Sequence, residues 1–182
     1  MTTIERWRLA VLATAVLATG GLLAGGHEGA GGSTLPPVAN AAWQAECAAC
    51  HAAYHPGLLP ARSWAAVMNG LDRHFGENAT LDAATRDEIA GFLAANAADR
   101  NGNRRSARIA ASIPAAAAPL RISETPYIRA KHDEISADVW RRPGVGGAAN
   151  CTACHRTAGR GDFAERNVMI PAAGPVAAAT AK

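Results

Sequence analysis

The four cysteines of the chain fall into two copies of one short motif, C-x-x-C-H. This is the attachment motif of c-type haem. Two cysteines three positions apart on one helical turn can bond to one porphyrin edge, while the adjacent histidine is directed at the iron. The copies are Cys47, Cys50 and His51 in CAACH, and Cys151, Cys154 and His155 in CTACH. The sequence therefore predicts two covalently attached haem c groups, with His51 and His155 as proximal iron ligands.

Two other kinds of cysteine site fit this spacing less well. Paired C-x-x-C motifs of a zinc site lie about 15 to 20 residues apart, whereas Cys50 and Cys151 are much further apart. A thioredoxin-like pair needs a βαβ setting, and no β-branched strand pattern flanks either motif. Disulfides would leave the repeated histidines unexplained. Haem attachment accounts for every cysteine.

The sixth coordination position of each iron decides between electron transfer and chemistry on a bound molecule. Five side chains beyond the N-terminal leader could fill that position. They are His55, His74, His132, Met68 and Met169.

His74 follows a predicted helix that Ser63 can cap. Trp64 and Leu71 belong to an apolar stripe of that helix, together with Val67, Met68 and Phe75, and His74 projects to the same side. A core histidine or a partner of the helix dipole is the alternative interpretation. Because two irons need ligands, the axial role is favoured.

His132 occupies the same kind of position in a second predicted helix, which Pro126 opens and Pro143 ends. Ile128 and Ile135 lie at offsets of minus four and plus three, so His132 projects from the apolar face. The axial role is favoured here too. His55 lies close in sequence to His51, so it should not easily reach the distal face of the first haem, although it could reach the other haem. The two methionines are more often packing residues than ligands. Sequence proximity pairs His74 with the first haem and His132 with the second, although a crossed arrangement stays open.

The N-terminal segment is typical of an export signal. Arg6 and Arg8 precede an apolar stretch over residues 9–24, and an A-x-A site ends at Ala41. We expect cleavage after Ala41, with cleavage near Ala24 and an uncleaved membrane anchor as alternatives. Export predicts a periplasmic protein with no membrane association after cleavage. The predicted organisation is a signal peptide and Gly-rich spacer (1–41), a first haem lobe (42–112), a second haem lobe (113–171) and a flexible tail (172–182).

Composition and charge constrain the fold and the partners. Hydrophobic residues make up 49% of the chain, but only 5% of residues are aromatic, so haems would supply apolar bulk that alanines lack. Residues 42–99 carry three basic and seven acidic side chains, whereas residues 100–182 carry thirteen basic and six acidic. Such a dipole can orient a protein toward a charged redox partner. No aromatic residues interleave the basic cluster of Arg104, Arg105 and Arg108, which argues against nucleic-acid binding.

No segment needs a β-strand, and a further helix is predicted over residues 82–97. The predicted fold is therefore mainly α, with small cytochrome c-like helical lobes packed around two covalently bound haems.

The order of these motifs resembles the bacterial dihaem cytochrome c family. The segments that carry the resemblance are CAACH (47–51), LLPARSW (58–64), HFGE (74–77), PLRISETPY (119–127), KHDE (131–134) and NCTACH (150–155). The resemblance implies His51 and His155 as proximal ligands and His74 and His132 as distal ligands. It also implies redox-protein partners, including a small high-spin monohaem cytochrome and a membrane b-type cytochrome. His55 departs from the family pattern.

These features predict a periplasmic electron carrier that is not an enzyme. Bis-histidine ligation lacks the thioether that raises the potential of Met/His cytochromes, so comparatively low potentials are expected. The alternative is a peroxidase-like dihaem enzyme or a small-ligand sensor, in which one distal histidine would dissociate from its iron.

Overall fold

The computed structural model describes residues 34–174, and this part of the chain is helical. Short 3₁₀ turns join the helices, and the β pairing within residues 34–174 is limited to isolated bridges. The prediction of a mainly α fold is confirmed. The helices are α1 (Ala41–Cys47), α2 (Ala61–Asn69), α3 (Ala83–Ala95), α4 (Arg104–Ser112), α5 (Pro126–Ala130), α6 (Ala137–Trp140) and α7 (Cys151–Cys154).

Two predicted segments fall mainly or partly beyond this range. The basic and apolar parts of the predicted signal lie outside the described residues, as does the tail from residue 175 onward. Between residues 34 and 174, no helix has the length and apolar character needed to cross a membrane.

The first core packs α1, α2 and α3 together. Its buried residues are Trp43, Leu59, Trp64, Met68, Ile89, Leu93 and Ala97. The indole of Trp64 donates a hydrogen bond to the carbonyl of Pro56 at 2.7 Å, which satisfies its buried N–H. The predicted third helix is confirmed: Asp82 caps it by accepting from the backbone N–H of Thr85 at 3.0 Å. This core gives the first motif a rigid support.

Helix α2 begins and ends earlier than predicted. Pro60, not Ser63, is the N-cap residue, and the helix ends at Asn69 with Gly70 as its C-cap. The first free N–H of the helix, at Ala61, is instead capped from a distance, because the carboxylate of Asp99 accepts from it at 2.9 Å. A 3₁₀ turn, Leu71–Arg73, then leads to His74.

The single helix predicted from Pro126 to Pro143 is wrong. Pro126 does open α5, but that helix ends at Ala130, and Ser136 begins the separate helix α6. His132 therefore lies in the connection between two short helices. Its backbone N–H bonds to the carbonyl of Arg129 in a tightened turn, so the apolar periodicity continues across a break in the helix.

A second core joins the two predicted lobes. Its buried residues are Leu35, Leu58, Ile109 and Ile113, and partly buried side chains from residues 117–163 pack against them. Ile122 contacts both cores. The boundary between residues 112 and 113 stays a prediction, since apolar contacts cross it.

Candidate haem sites

The first attachment motif lies at the end of α1 and in the turn that follows. Asn40 caps α1 by accepting from the backbone N–H of Trp43 at 2.7 Å, and buried Trp43 anchors the helix to the core. Cys47 is the last helical residue, whereas Cys50 and His51 lie beyond it and are exposed. The motif is thus presented on the surface of the polypeptide.

The second motif occupies the one-turn helix α7. His155 caps this helix, with its backbone N–H bonded to the carbonyl of Cys151 at 2.8 Å. An isolated bridge to Val168 holds His155 from the other side. None of the four cysteines forms a disulfide, so all four are available for haem attachment. Before haem attachment, burial raises the pKa of the Cys47, Cys151 and Cys154 thiols.

The structure brings the histidines together in two pairs. The ring centroids of His51 and His74 are 6.0 Å apart, and those of His132 and His155 are 5.9 Å apart. Two metal–imidazole bonds of about 2 Å, with about 1 Å from each bonded nitrogen to its ring centre, span about 6 Å. Both pairs therefore fit an iron held between two imidazoles. His74 therefore lies beside His51 and His132 beside His155, which is the pairing by sequence proximity and not the crossed arrangement.

Hydrogen bonds set the tautomers of two of these rings. The Nδ1 of His51 lies 2.8 Å from the carbonyl of Ala52, and the Nδ1 of His132 lies 2.7 Å from the carbonyl of Ile128. A carbonyl oxygen can only accept, so Nδ1 carries the proton in both rings. Nε2 then keeps its lone pair for a metal, and the second hydrogen bond orients the ring.

Burial lowers the pKa of the other two imidazoles, which favours the neutral ring. Burial, followed by the proximity of His51, lowers the pKa of His74. Burial lowers the pKa of His155, and the nearby His132 and Arg105 add to this effect. Metal coordination requires the neutral ring, so these shifts favour ligation.

Aromatic rings flank each pair. Tyr54 stacks on His51 at 5.0 Å, and Phe75 lies edge-on to His74 at 4.8 Å. In the second site, Trp140 lies 5.9 Å from His132 and Phe163 lies 5.5 Å from His155. These rings provide apolar surface suited to a porphyrin. Sequence reasoning assigned none of them to a site, although each flanks a candidate ligand in space.

Phe75 lies beyond the helix to which its apolar spacing assigned it. The polypeptide leaves 47% of its surface uncovered, and its φ of 55° is in the left-handed region. That conformation costs a non-glycine residue about 1–2 kcal/mol. It is held by the turn in which the N–H of Glu77 bonds to the carbonyl of His74, and by Arg121, whose guanidinium lies 4.1 Å from the ring centroid.

The remaining ligand candidates have other roles. Both ring nitrogens of His55 are engaged: Nε2 donates to the carbonyl of Pro36 at 2.8 Å, and Nδ1 accepts from the N–H of Gly57 at 2.9 Å. Met68 is buried in the first core. Met169 bonds through its backbone to Cys154, but its side chain is 58% exposed. None of the three forms a pair with a motif histidine.

A helical fold with two C-x-x-C-H motifs, each facing a second histidine, defines a c-type cytochrome with two haem sites. The family model for dihaem cytochrome c matches residues 43–163. The chain belongs to this dihaem cytochrome c family, and it accordingly carries two covalently attached c-type haems.

Solved structures agree with this assignment. A dihaem cytochrome c from Rhodobacter sphaeroides is 44% identical, with a TM-score of 0.63, covering 71% of this chain and 99% of that one. A dihaem cytochrome c from Shewanella baltica is 36% identical, with a TM-score of 0.61, covering 74% of this chain and 95% of that one. No curated protein sequence matches the chain.

Proposed function

We propose that this protein is a periplasmic electron carrier whose two haem irons are each closed by two histidines. His51 and His74 would ligate the first iron, and His155 and His132 the second. The observation that carries the proposal is the pair of ring separations, 6.0 and 5.9 Å. Cys47 and Cys50 would anchor the first haem, and Cys151 and Cys154 the second.

The residues of the chain would prepare both sites for outer-sphere transfer. When bound, each haem supplies a one-electron iron couple. The carbonyls of Ala52 and Ile128 hold two imidazoles in a fixed orientation, and a second histidine would occupy the position that a substrate would need. Little rearrangement of these residues would then accompany each change of charge. This arrangement supports a carrier over an enzyme, and two nitrogen ligands favour comparatively low potentials.

Location and partners form part of the same proposal. The N-terminal pattern supports export to the periplasm, where two redox proteins would exchange electrons with this chain. The resemblance to the family suggests a small high-spin monohaem cytochrome and a membrane b-type cytochrome. The excess of basic residues from residue 100 onward would orient the molecule toward an acidic partner surface.

The position of signal cleavage bears on the folded core. Leu35 is buried in the second core, and its N–H bonds to the carbonyl of Gly161 at 2.8 Å. These contacts favour the alternative of cleavage near Ala24, because cleavage after Ala41 would remove Leu35. The N-terminal sequence of the exported protein would decide between the two sites.

Optical and low-temperature paramagnetic resonance spectra of the haem-loaded protein would test the ligand set. We expect wholly low-spin iron, no sulfur-to-iron near-infrared band and no carbon monoxide binding. His74→Ala and His132→Ala should each convert one haem to a high-spin, carbon monoxide-binding form. His55→Asn, which alters a histidine outside both pairs, should leave the spectra unchanged. Ready carbon monoxide binding by the unaltered protein would instead favour an enzyme or sensor.

A further inference from the structure

Tyr54 contacts both haem sites. Its ring stacks on the imidazole of His51, with centroids 5.0 Å apart and planes inclined by 28°. Its hydroxyl donates a hydrogen bond of 2.5 Å to the carbonyl of Ala149. Ala149 lies two residues before Cys151, the first cysteine of the second motif. One half-buried side chain therefore connects the proximal histidine of one site to the attachment segment of the other.

The segment that Tyr54 holds is otherwise built from local turns. Gly146 and Gly147 have φ values of 70° and 103°, and the N–H of Gly147 bonds to the carbonyl of Trp140. The N–H of Asn150 bonds back to Gly147. These bonds shape the loop but do not fix its position relative to the first site. The phenol of Tyr54 supplies a direct link across this gap.

The geometry points to Tyr54 as a positioning residue that sets the placement of the two haem sites relative to each other and thereby governs electron exchange between the haems. This inference rests on the proposed function as a two-haem electron carrier. The stack orients the first proximal ligand, and the hydrogen bond positions the second attachment segment. Tyr54 itself need not change its charge or bind iron.

The decisive variant is Tyr54→Phe, which keeps the ring and removes the hydrogen bond. A hydrogen bond of this kind contributes about 1 kcal/mol net, which corresponds to about a fivefold change in a conformational equilibrium. Pulsed single-electron reduction followed by time-resolved spectra would measure exchange between the haems. Molecules in which the second attachment segment has moved away from Tyr54 should exchange electrons slowly between their haems. We expect the fraction of such molecules to rise about fivefold in Tyr54→Phe, while both irons stay low-spin.

Two further variants separate positioning from general destabilisation. Tyr54→Leu removes the ring as well, so it should also alter the paramagnetic resonance signal of the first haem by releasing His51. Thr125→Val removes a hydroxyl-to-carbonyl hydrogen bond that stays within one turn, to Ile122 at 2.8 Å, and should leave exchange unchanged. Unfolding by denaturant would be measured for each variant, so that exchange is compared among equally folded samples.

Unchanged exchange kinetics in Tyr54→Phe would overturn the inference. An equal effect of Thr125→Val would do so too, because the effect would then reflect general loosening. Failure of the proposed function gives a different result: the unaltered protein would bind carbon monoxide or show high-spin iron, whatever residue occupies position 54.

Discussion

The two histidine pairs, His51 with His74 and His132 with His155, lie on very different supports. The first pair is supported by α1, α2 and α3, of seven, nine and thirteen residues, over a core with seven buried side chains. The second pair is held by α5, α6 and α7, each of four or five residues. None of these three short helices contains a buried residue. The helices of the first site therefore pack on a buried core, whereas α5 adds only partly buried side chains, Tyr127 and Ile128, to the second core. We therefore expect the second site to depend more on its haem for apolar contacts.

The ring geometries differ as well. The planes of His51 and His74 are inclined by 27°, but those of His132 and His155 by 77°. Axial ligands are one means by which a protein tunes a haem. One ligand set can thus give two electronically different irons when the scaffolds hold the rings differently.

The largest contrast should appear when one haem is withheld. In the double variant Cys151→Ala with Cys154→Ala, we expect amide protection in α5 and α6 to fall to that of an unfolded chain. The double variant Cys47→Ala with Cys50→Ala removes the first haem. It should lower the amide protection factors of α3 by less than about tenfold, which corresponds to about 1.4 kcal/mol in the free energy of opening. Hydrogen exchange read by mass spectrometry would measure both. Equal losses of amide protection in the two variants would show that both sites depend on their haems to the same extent.

The ring angles predict two distinguishable low-spin signals. Two nearly parallel imidazoles would both interact with the same iron d orbital and so separate its energy from that of the second such orbital. Two nearly perpendicular imidazoles would each interact with a different d orbital and leave the two energies close together. We therefore expect a rhombic paramagnetic resonance signal from the first haem and a more anisotropic one from the second. His132→Ala should remove only the anisotropic signal. Two identical rhombic signals would show that the rings in the second site are parallel.

Loss of the His55 hydrogen bonds should loosen the first lobe more moderately. His55→Ala removes a buried donor and acceptor, so we expect the free energy of unfolding to fall by about 1–3 kcal/mol. His55→Asn should lose less, since asparagine can still cap the N–H of Gly57. Denaturant titration of the haem-loaded proteins would measure both changes. Equal stability of His55→Ala and the unaltered protein would contradict this role.

His55 also predicts a pH dependence. Burial is the main cause that lowers the pKa of His55 below its ordinary 6.5, so the unfolded chain binds the proton more readily than the folded one. Its contribution is fully present above pH 6.5 and is lost as the pH falls from 6.5 toward the lowered pKa. The stability difference between the unaltered protein and His55→Asn should therefore shrink over that range. A constant difference would exclude His55 as the titrating group.

The smallest effect is expected from Arg121. Its guanidinium lies over the ring of Phe75, and a partly exposed contact of this kind contributes about 0.5–1 kcal/mol. Arg121→Gln should lower stability by no more than that, and should shift the potential of the first haem but not of the second. A spectroelectrochemical titration that resolves the two haems would measure the shifts. A shift confined to the second haem would show that the contact acts elsewhere.

The chemistry of both motifs could be predicted from sequence because covalent attachment depends on local spacing. Two cysteines and a histidine within five residues occupy one turn of chain wherever that turn lies. The apolar periodicity around His74 and His132 likewise indicated two half-buried histidines, which the structure places beside His51 and His155. Helix α3 was predictable because its cap and its apolar face lie within one continuous segment.

Only the tertiary structure decided how these pieces meet. Asp99 caps α2 from a distant position, so the start of that helix could not be read from Ser63. The break before His132, the exposure of Phe75 and the contact from Tyr54 to Ala149 likewise depend on packing between segments that the sequence separates. Attachment chemistry is local and was determined by the sequence itself, whereas ring angles and the link between the sites arise from long-range contacts.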